Sequence, residues 1–548
     1  MPSTCRPRTH LLVFAVVCLV STALGAQQAL LPEPVRAAAD RITAAQLEQD
    51  LAYFASDDLL GRNTPSPGFD LAADYIIRRL ERAGVRPFGD HGTFRQHYEM
   101  RETRIDTEAA YVEIGGRRFA FGEGFALRSF AGPLTGARAV VYVGHGWTVP
   151  GKGIDPYAGL DVRGKLLLVH GPGALPKDAD VKMIGRVSVG GETAFAEAER
   201  RGAAGILFIT READLARWDT MRVANTVRRE LEPRVPSAYA ALPVTSALLA
   251  PEAVDALFEG ERTKGAEMRK RGETADYAPS FELETPVTLH VPVASTTVHR
   301  PYNVVALLEG GDPALKHEYI TLEAHLDGAV GTREVDGDGI YNSADDNASG
   351  SAALLSIAEH MMTAPRPKRS LLFIWDSGEE QGLWGTRWFV HAPPVPLAQV
   401  VAHVNIDMIG ASRRPGSADE ASKDVTEPGE VFLIGPGVLS PQVDARLERV
   451  NAEYLKLRLN RAHDRADSEF LYPRTDAGPF LERGILTIGF TTGIHDRYHL
   501  PADEARHLDP KQIEGIARTV FASAWALADA DDRPRIEGPL PPSVLRVP

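Results

Sequence analysis

Imidazole and carboxylate groups gather at five places in the chain. They are His325-Leu326-Asp327, Asp345-Asp346-Asn347-Ala348-Ser349-Gly350, Asp376-Ser377-Gly378-Glu379-Glu380, Asp407 and His495-Asp496-Arg497-Tyr498-His499. Each has a plain structural reading. A histidine at a strand end is usually a satisfied structural residue, Asp345-Asp346-Asn347 can cap a helix, and Glu379-Glu380 can begin one in solvent. Together they form the donor set that two divalent cations sharing a bridging carboxylate require: imidazole nitrogen and carboxylate oxygen, with room for water. A further carboxylate beside that water can take its proton. An aspartate two residues after His325 can bond the other ring nitrogen and fix the tautomer. His495 and His507 read as structural, and the Asp336-Gly337-Asp338-Gly339 turn has too few ligands for calcium.

These groups converge only if the chain brings strand ends together. From about residue 286, apolar strands alternate with helices. Strands are expected at 303–308, 319–324, 370–375, 400–406, 431–434 and 485–490, and helices at 348–362, 380–391, 441–459 and 510–530. Near-continuous apolar strands separated by helices predict an α/β sandwich with a mixed, largely parallel central sheet. In such sheets ligands lie beyond the carboxyl ends of the strands, where four of the five groups fall and where the fifth opens a helix. Upstream, 44–60 and 67–84 have the apolar spacing of amphipathic helices, with Gly84 as a stop. Residues 131–285 have a different texture of short strands and Gly-rich turns, with helices near 192–202 and 251–258 and a polar linker over 264–274. That block holds no dense cluster of histidines and carboxylates, so it is not the expected chemical centre. The Pro-rich stretch 532–548 reads as a surface tail.

The chain has 548 residues and a net charge of −14, with no basic stripe, which makes nucleic acid an unsuitable partner. Arg6 and Arg8, the apolar run 11–20 and Ala23-Leu24-Gly25 have the three parts of a secretory signal peptide. Residues 1–26 are therefore expected to be cleaved, leaving a secreted or periplasmic protein. No later stretch is long and apolar enough for an integral membrane span. Cleavage removes Cys5 and Cys18, so the mature chain has no thiol for disulfides, nucleophilic attack or metal binding. Any metal must sit on His, Asp and Glu.

The order and spacing of these motifs over 300–505, with Ser343-Ala344 before Asp345, Asn405-Ile406-Asp407-Met408 and Tyr498-His499-Leu500-Pro501, resemble the co-catalytic zinc aminopeptidases. That metallopeptidase family includes bacterial leucyl aminopeptidases, glutamate carboxypeptidases and glutaminyl cyclases. Ala55-Ser56-Asp57-Asp58-Leu59-Leu60-Gly61-Arg62 resembles the family's N-terminal segment, and 131–285 resembles an inserted, mainly-β protease-associated domain. On this resemblance, 27–130 and 286–531 form a three-layer zinc-exopeptidase domain that binds two zinc ions. His325 and Asp407 would hold one zinc, Glu380 and His499 the other, and Asp346 would bridge them. Glu379 would be the general base acting on a water held by the metals, and Asp327 the partner of His325. A cis peptide is expected between Asp346 and Asn347. The resemblance implies an aminopeptidase acting on peptide substrates. The alternatives are a carboxypeptidase or dipeptidase on the same centre, for which Arg333, Arg413, Arg414, Arg465 and Arg497 are available, and aminoacyl transfer of the glutaminyl-cyclase kind. A non-enzymatic receptor is disfavoured because no ligand is missing. The chain departs from many relatives in having Leu326 and Gly328 within His325–Gly328, and in having Arg474-Thr475-Asp476-Ala477 where Ser-Asp-His is common. The oligomeric state is not legible in the sequence.

Overall fold

The computed structural model describes residues 30–544, apart from 172, 178, 185–186, 238–239, 241, 332–333, 414–423, 469–473 and 542–543. The proposed signal peptide and both cysteines lie outside the described residues. Nine strands form the central sheet: β1 (Arg86–Pro87), β2 (Arg95–His97), β3 (Tyr302–Leu308), β4 (Tyr319–His325), β5 (Ser370–Asp376), β6 (Val400–Ile406), β7 (Glu430–Ile434), β8 (Arg458–Asn460) and β9 (Leu486–Thr491). Their spatial order is β1-β3-β5-β4-β6-β9-β7-β8, with β2 also on β3. β5, β4, β6 and β9 run parallel, so their carboxyl ends lie on one edge; β3 is antiparallel to its neighbours, and β7 is antiparallel to β9 but parallel to β8.

Alternation along the strands explains the three layers. Val304, Ala306, Leu371, Phe373 and Trp375 face one core. That core is covered by α1 (Glu33–Ala39), α2 (Ala44–Phe54), α3 (Pro67–Ala83), α4 (Gly350–Met361), α6 (Pro441–Glu453) and α8 (Pro510–Ala528). Val305, Leu307, Leu372 and Ile374 face the other, where α5 (Trp384–His391) and α7 (Ala477–Glu482) contribute Phe389 and Phe480. The expected strands are all present. Several helices are shorter than their apolar spacing suggested. The first ends at Phe54 and passes into a tight turn over Asp57–Arg62; another starts only at Trp384, after a turn in which Leu383 has positive φ.

The second body holds a six-stranded sheet in which Val140–Tyr142, Leu166–His170, Gly205–Ile209 and Ser246–Leu249 are parallel neighbours. Phe125–Ser129 closes one edge, and a four-stranded sheet adds Tyr111–Ile114, Arg117–Ala120, Ala137–Arg138 and Val287–His290. Residues 264–274, expected as a polar linker, contain the helix Gly265–Glu273. Its fully buried Met268 anchors an otherwise polar segment to the core, which a reading of composition passes over.

Arg62 joins the N-terminal helices to the carboxyl edge of the sheet. Its side chain is fully buried and donates to the carbonyls of Leu326 (3.0 Å), Asn342 (2.9 Å), Ser343 (3.0 Å) and Phe54. Burial lowers its pKa to about 10, so it stays cationic at neutral pH beside Asp327, Asp503 and Asp346. Arg62→Met should leave these carbonyls without their donor and cost about 3 kcal/mol or more. Urea denaturation checks this; a loss under about 0.5 kcal/mol would show that Arg62 does not brace this edge.

Candidate functional site

His325 ends β4 and Asp376 pairs with it at the end of β5. Asp407 follows β6, and Asp346 lies just before α4. α4 can approach because Gly350 has no side chain: a Cβ there would stand 2.4 Å from the carbonyl oxygen of Ile406. Ser351 Oγ then donates to the carbonyl of His325 (2.9 Å). Beyond β5 the chain turns at Gly378 (φ +75°), where a Cβ would meet the Trp384 ring at 2.5 Å, and presents Glu379 and Glu380.

At the centre is the Asp346 carboxylate. Its Oδ1 lies 3.1 Å from His325 Nε2, which is also 3.5 Å from Asp407 Oδ1. Its Oδ2 lies 3.1 Å from His499 Nε2, which is 3.0 Å from Glu380 Oε2. Two donor sets, His325–Asp346–Asp407 and Asp346–Glu380–His499, thus share one carboxylate. His325 Nε2, Asp407 Oδ1 and Glu380 Oε1 are buried without hydrogen-bond partners. Orphaned nitrogen and oxygen donors of this kind, gathered in two sets around one carboxylate, fit metal ions. Glu379 lines the same cleft together with Asp346, Asp407 and Tyr498. Tyr498 stacks on the His499 ring at 3.7 Å and 21°.

The charge balance is tight. Burial works against a charge on His325, but Asp346 and Asp407 outweigh it and hold the imidazole well above its usual range. His499 is pushed up to about 10, burial again being outweighed by Asp346 and Glu380. Burial would raise Asp346, yet its two histidines bring it below the ordinary carboxylate range. Glu380 is pushed up to about 7, by burial and then by the charge of Asp346. Glu379 rises well above its usual range, by burial and by Asp476, Glu380 and Asp407, against the pull of His325.

The support of His325 differs from expectation. Its Nδ1 bonds the backbone carbonyl of Asp327 (3.0 Å), not the Asp327 carboxylate. That carboxylate instead accepts the N–H groups of Gly378 (2.8 Å) and Glu379 (3.2 Å), and so holds the turn that presents Glu379. Asp345 faces away from the histidine pair. It accepts from the N–H groups of Gly410 (2.7 Å) and Ala411 (3.1 Å) and lies 3.3 Å from His495 Nε2. The Asp346–Asn347 peptide is cis.

Sequence reasoning passed over Asp503, whose buried carboxylate accepts the N–H groups of Asp345 (3.1 Å) and Asp346 (3.2 Å). Its spacing four residues after His499 was the only available signal. It also passed over Asn347, which accepts from Gly350 N (2.9 Å) and donates to the Ile406 carbonyl (2.9 Å). Of the arginines considered for carboxylate binding, Arg413 pairs with Glu427, Arg465 with Asp467 and Arg497 with Asp496, while 333 and 414 lie outside the described residues. The arginine lining the cleft is Arg474, 3.3 Å from the Tyr498 hydroxyl. Asp503→Ala should strand two buried N–H groups and cost about 2–4 kcal/mol, with Asp503→Asn recovering part of the loss. Equal stability of all three proteins in urea would show that Asp503 does not hold the Asp346 backbone.

Residues 303–524 match the model of peptidase family M28. An aminopeptidase of Pseudomonas aeruginosa is 30% identical over 193 residues, 35% of this chain and 31% of the relative. The chain thus aligns with under a third of that relative's length. A probable lipoprotein aminopeptidase of Mycobacterium tuberculosis is 24% identical over 79% of this chain and 70% of the relative. Among solved structures, an aminopeptidase of Aneurinibacillus sp. strain AM-1 shares the fold, with a TM-score of 0.53 and 16% identity over 91% of this chain and 97% of the other.

Proposed function

We propose that the chain, whose residues 303–524 match the model of peptidase family M28, is a zinc-dependent aminopeptidase that removes N-terminal residues from peptides. One observation carries the reading: the two oxygens of Asp346 face two separate histidine–carboxylate sets. In it, His325 and Asp407 hold one zinc, Glu380 and His499 the other, and Asp346 bridges them. Bound zinc supplies Lewis acidity, polarising the scissile carbonyl and acidifying a water. Glu379 lines the cleft beside Asp346 and Asp407, placed to accept the proton of the attacking water on its carboxylate and pass it to the leaving amine. Its raised proton affinity suits both transfers. Asp327 positions Glu379 through the two N–H groups it accepts, and the acids around the cleft suit a substrate ammonium.

Export belongs to the same proposal and rests on the composition of residues 1–26; no described helix is long and apolar enough to cross a membrane. So does the second body's role as a protease-associated insertion. Arg474 in the cleft favours a second reading, in which a substrate carboxylate is bound and the enzyme is a carboxypeptidase or dipeptidase.

Digestion of a peptide library with free and blocked termini, with chelator and zinc add-back, separates the two. Chelator-sensitive loss of single residues only from free N-termini is expected, and a requirement for a free C-terminus would establish the second reading instead. Glu379→Ala should keep its zinc and lose about 10²–10⁴ in turnover; near-normal turnover would remove Glu379 from the mechanism. The raised pKa of His499 means that the metal-free protein carries a proton there at neutral pH, which metal must displace. Zinc affinity should therefore rise with pH between about 6 and 8, with proton release measurable by calorimetry in buffers of different ionisation enthalpy. Binding without proton release would contradict this assignment.

A further inference from the structure

A second group of acids lies behind the first. Glu323 stands two residues before His325 on the same face of β4, Asp376 ends β5, and Asp476 immediately precedes α7. All three side chains are buried, and one oxygen from each lies within 4.8 Å of the others. Their neighbours do not satisfy them. Asn405 Nδ2 donates to Glu323 Oε2 (2.8 Å). The Thr386 hydroxyl lies 3.0 Å from Asp376 Oδ2 and also against Asp476 Oδ1, yet has one proton for the two. Glu323 Oε1, Asp376 Oδ1 and Asp476 Oδ2 have no partner. Among the described residues no lysine or arginine forms an ion pair with any of the three.

A fourth side chain gives independent testimony. His403 is fully buried and its ring lies flat on Phe480 at 3.7 Å and 11°. Its Nδ1 is 2.9 Å from Thr321 Oγ1, whose own hydroxyl donates to the carbonyl of Ala402 (3.4 Å). Burial, which lowers this imidazole to about 3, keeps it neutral. Nε2 has no hydrogen-bond partner and points at Glu323 Oε2 from 3.7 Å. A buried imidazole nitrogen without a partner, facing one of three buried and incompletely satisfied carboxylates, marks polar groups that the protein's own side chains leave unpaired.

We propose that Glu323, Asp376 and Asp476 bind a third cation, an oxygen-preferring divalent ion of the magnesium, calcium or manganese class. Carboxylates and a hydroxyl are the ligands such ions favour, and oxygens this close can share one ion at 2.0–2.6 Å. Bound there, the ion would tie the strand of His325 to the strand that leads to Glu379 and to the segment of Asp476. The site stands independently of the peptidase reading.

The test uses the full chain with the shared ligand removed. In Asp346→Ala, Mn2+ titration followed by electron paramagnetic resonance should show one tight ion per chain, and adding Glu323→Gln should abolish it. No tight Mn2+ in folded Asp346→Ala would overturn the proposal and leave the acids sharing protons. Should the double variant fail to fold, elemental analysis of the wild-type chain loaded with zinc and then Mn2+ decides: two zinc and one manganese support the site, and a total of two metals overturns it. Loss of peptide hydrolysis with the manganese still bound would count against the aminopeptidase reading alone.

Discussion

A buried carboxylate with an imidazole nitrogen about 3 Å from each of its oxygens is stable only where positive charge stands on both sides. Asp346 is in that position, and the carboxyl edge of the sheet is arranged around it. Without metal, the two imidazoles serve as its counter-charges, which is why both are driven above their ordinary range while Asp346 is driven below. The same arrangement selects for cations: each histidine brings a second carboxylate, Asp407 or Glu380, within reach of a shared ion. The proposed chemistry follows from charge that the fold cannot satisfy by itself.

Backbone groups do most of the positioning. Asp503 takes the N–H of Asp346, Asp327 takes those of Gly378 and Glu379, and Asp345 takes those of Gly410 and Ala411. Three buried acids thus hold the loops at this edge through backbone N–H groups. Arg62 brings a fully buried guanidinium beside Asp327, Asp503 and Asp346 and offsets part of their charge. The cost of assembling so many acids is spread over many hydrogen bonds, and each loop is fixed by a partner from another element.

The strand ends were legible because the parallel strands are apolar throughout and stop where polarity begins, so His325, Asp376 and Asp407 mark one edge. The roles of Asp327 and Asp503 were not. A carboxylate that accepts backbone N–H groups leaves no spacing signature, and the partners of Asp503 lie more than 150 residues away. Helix lengths were overread where apolar spacing continues through a turn, as after Phe54. The helix Gly265–Glu273 was missed because a single buried methionine anchors a charged segment. Glu323 could have been found: it shares the face of His325 at a spacing of two, inside a strand buried on both sides, where an unpaired acid is costly.

The most direct test of the central claim, that Asp346 bridges two metal ions, is anomalous diffraction at the zinc edge from crystals of the zinc-loaded protein. The account requires two peaks, one beside His325 and Asp407 and one beside His499 and Glu380, each within bonding distance of a different oxygen of Asp346. A single peak, or two peaks without Asp346 between them, would contradict it.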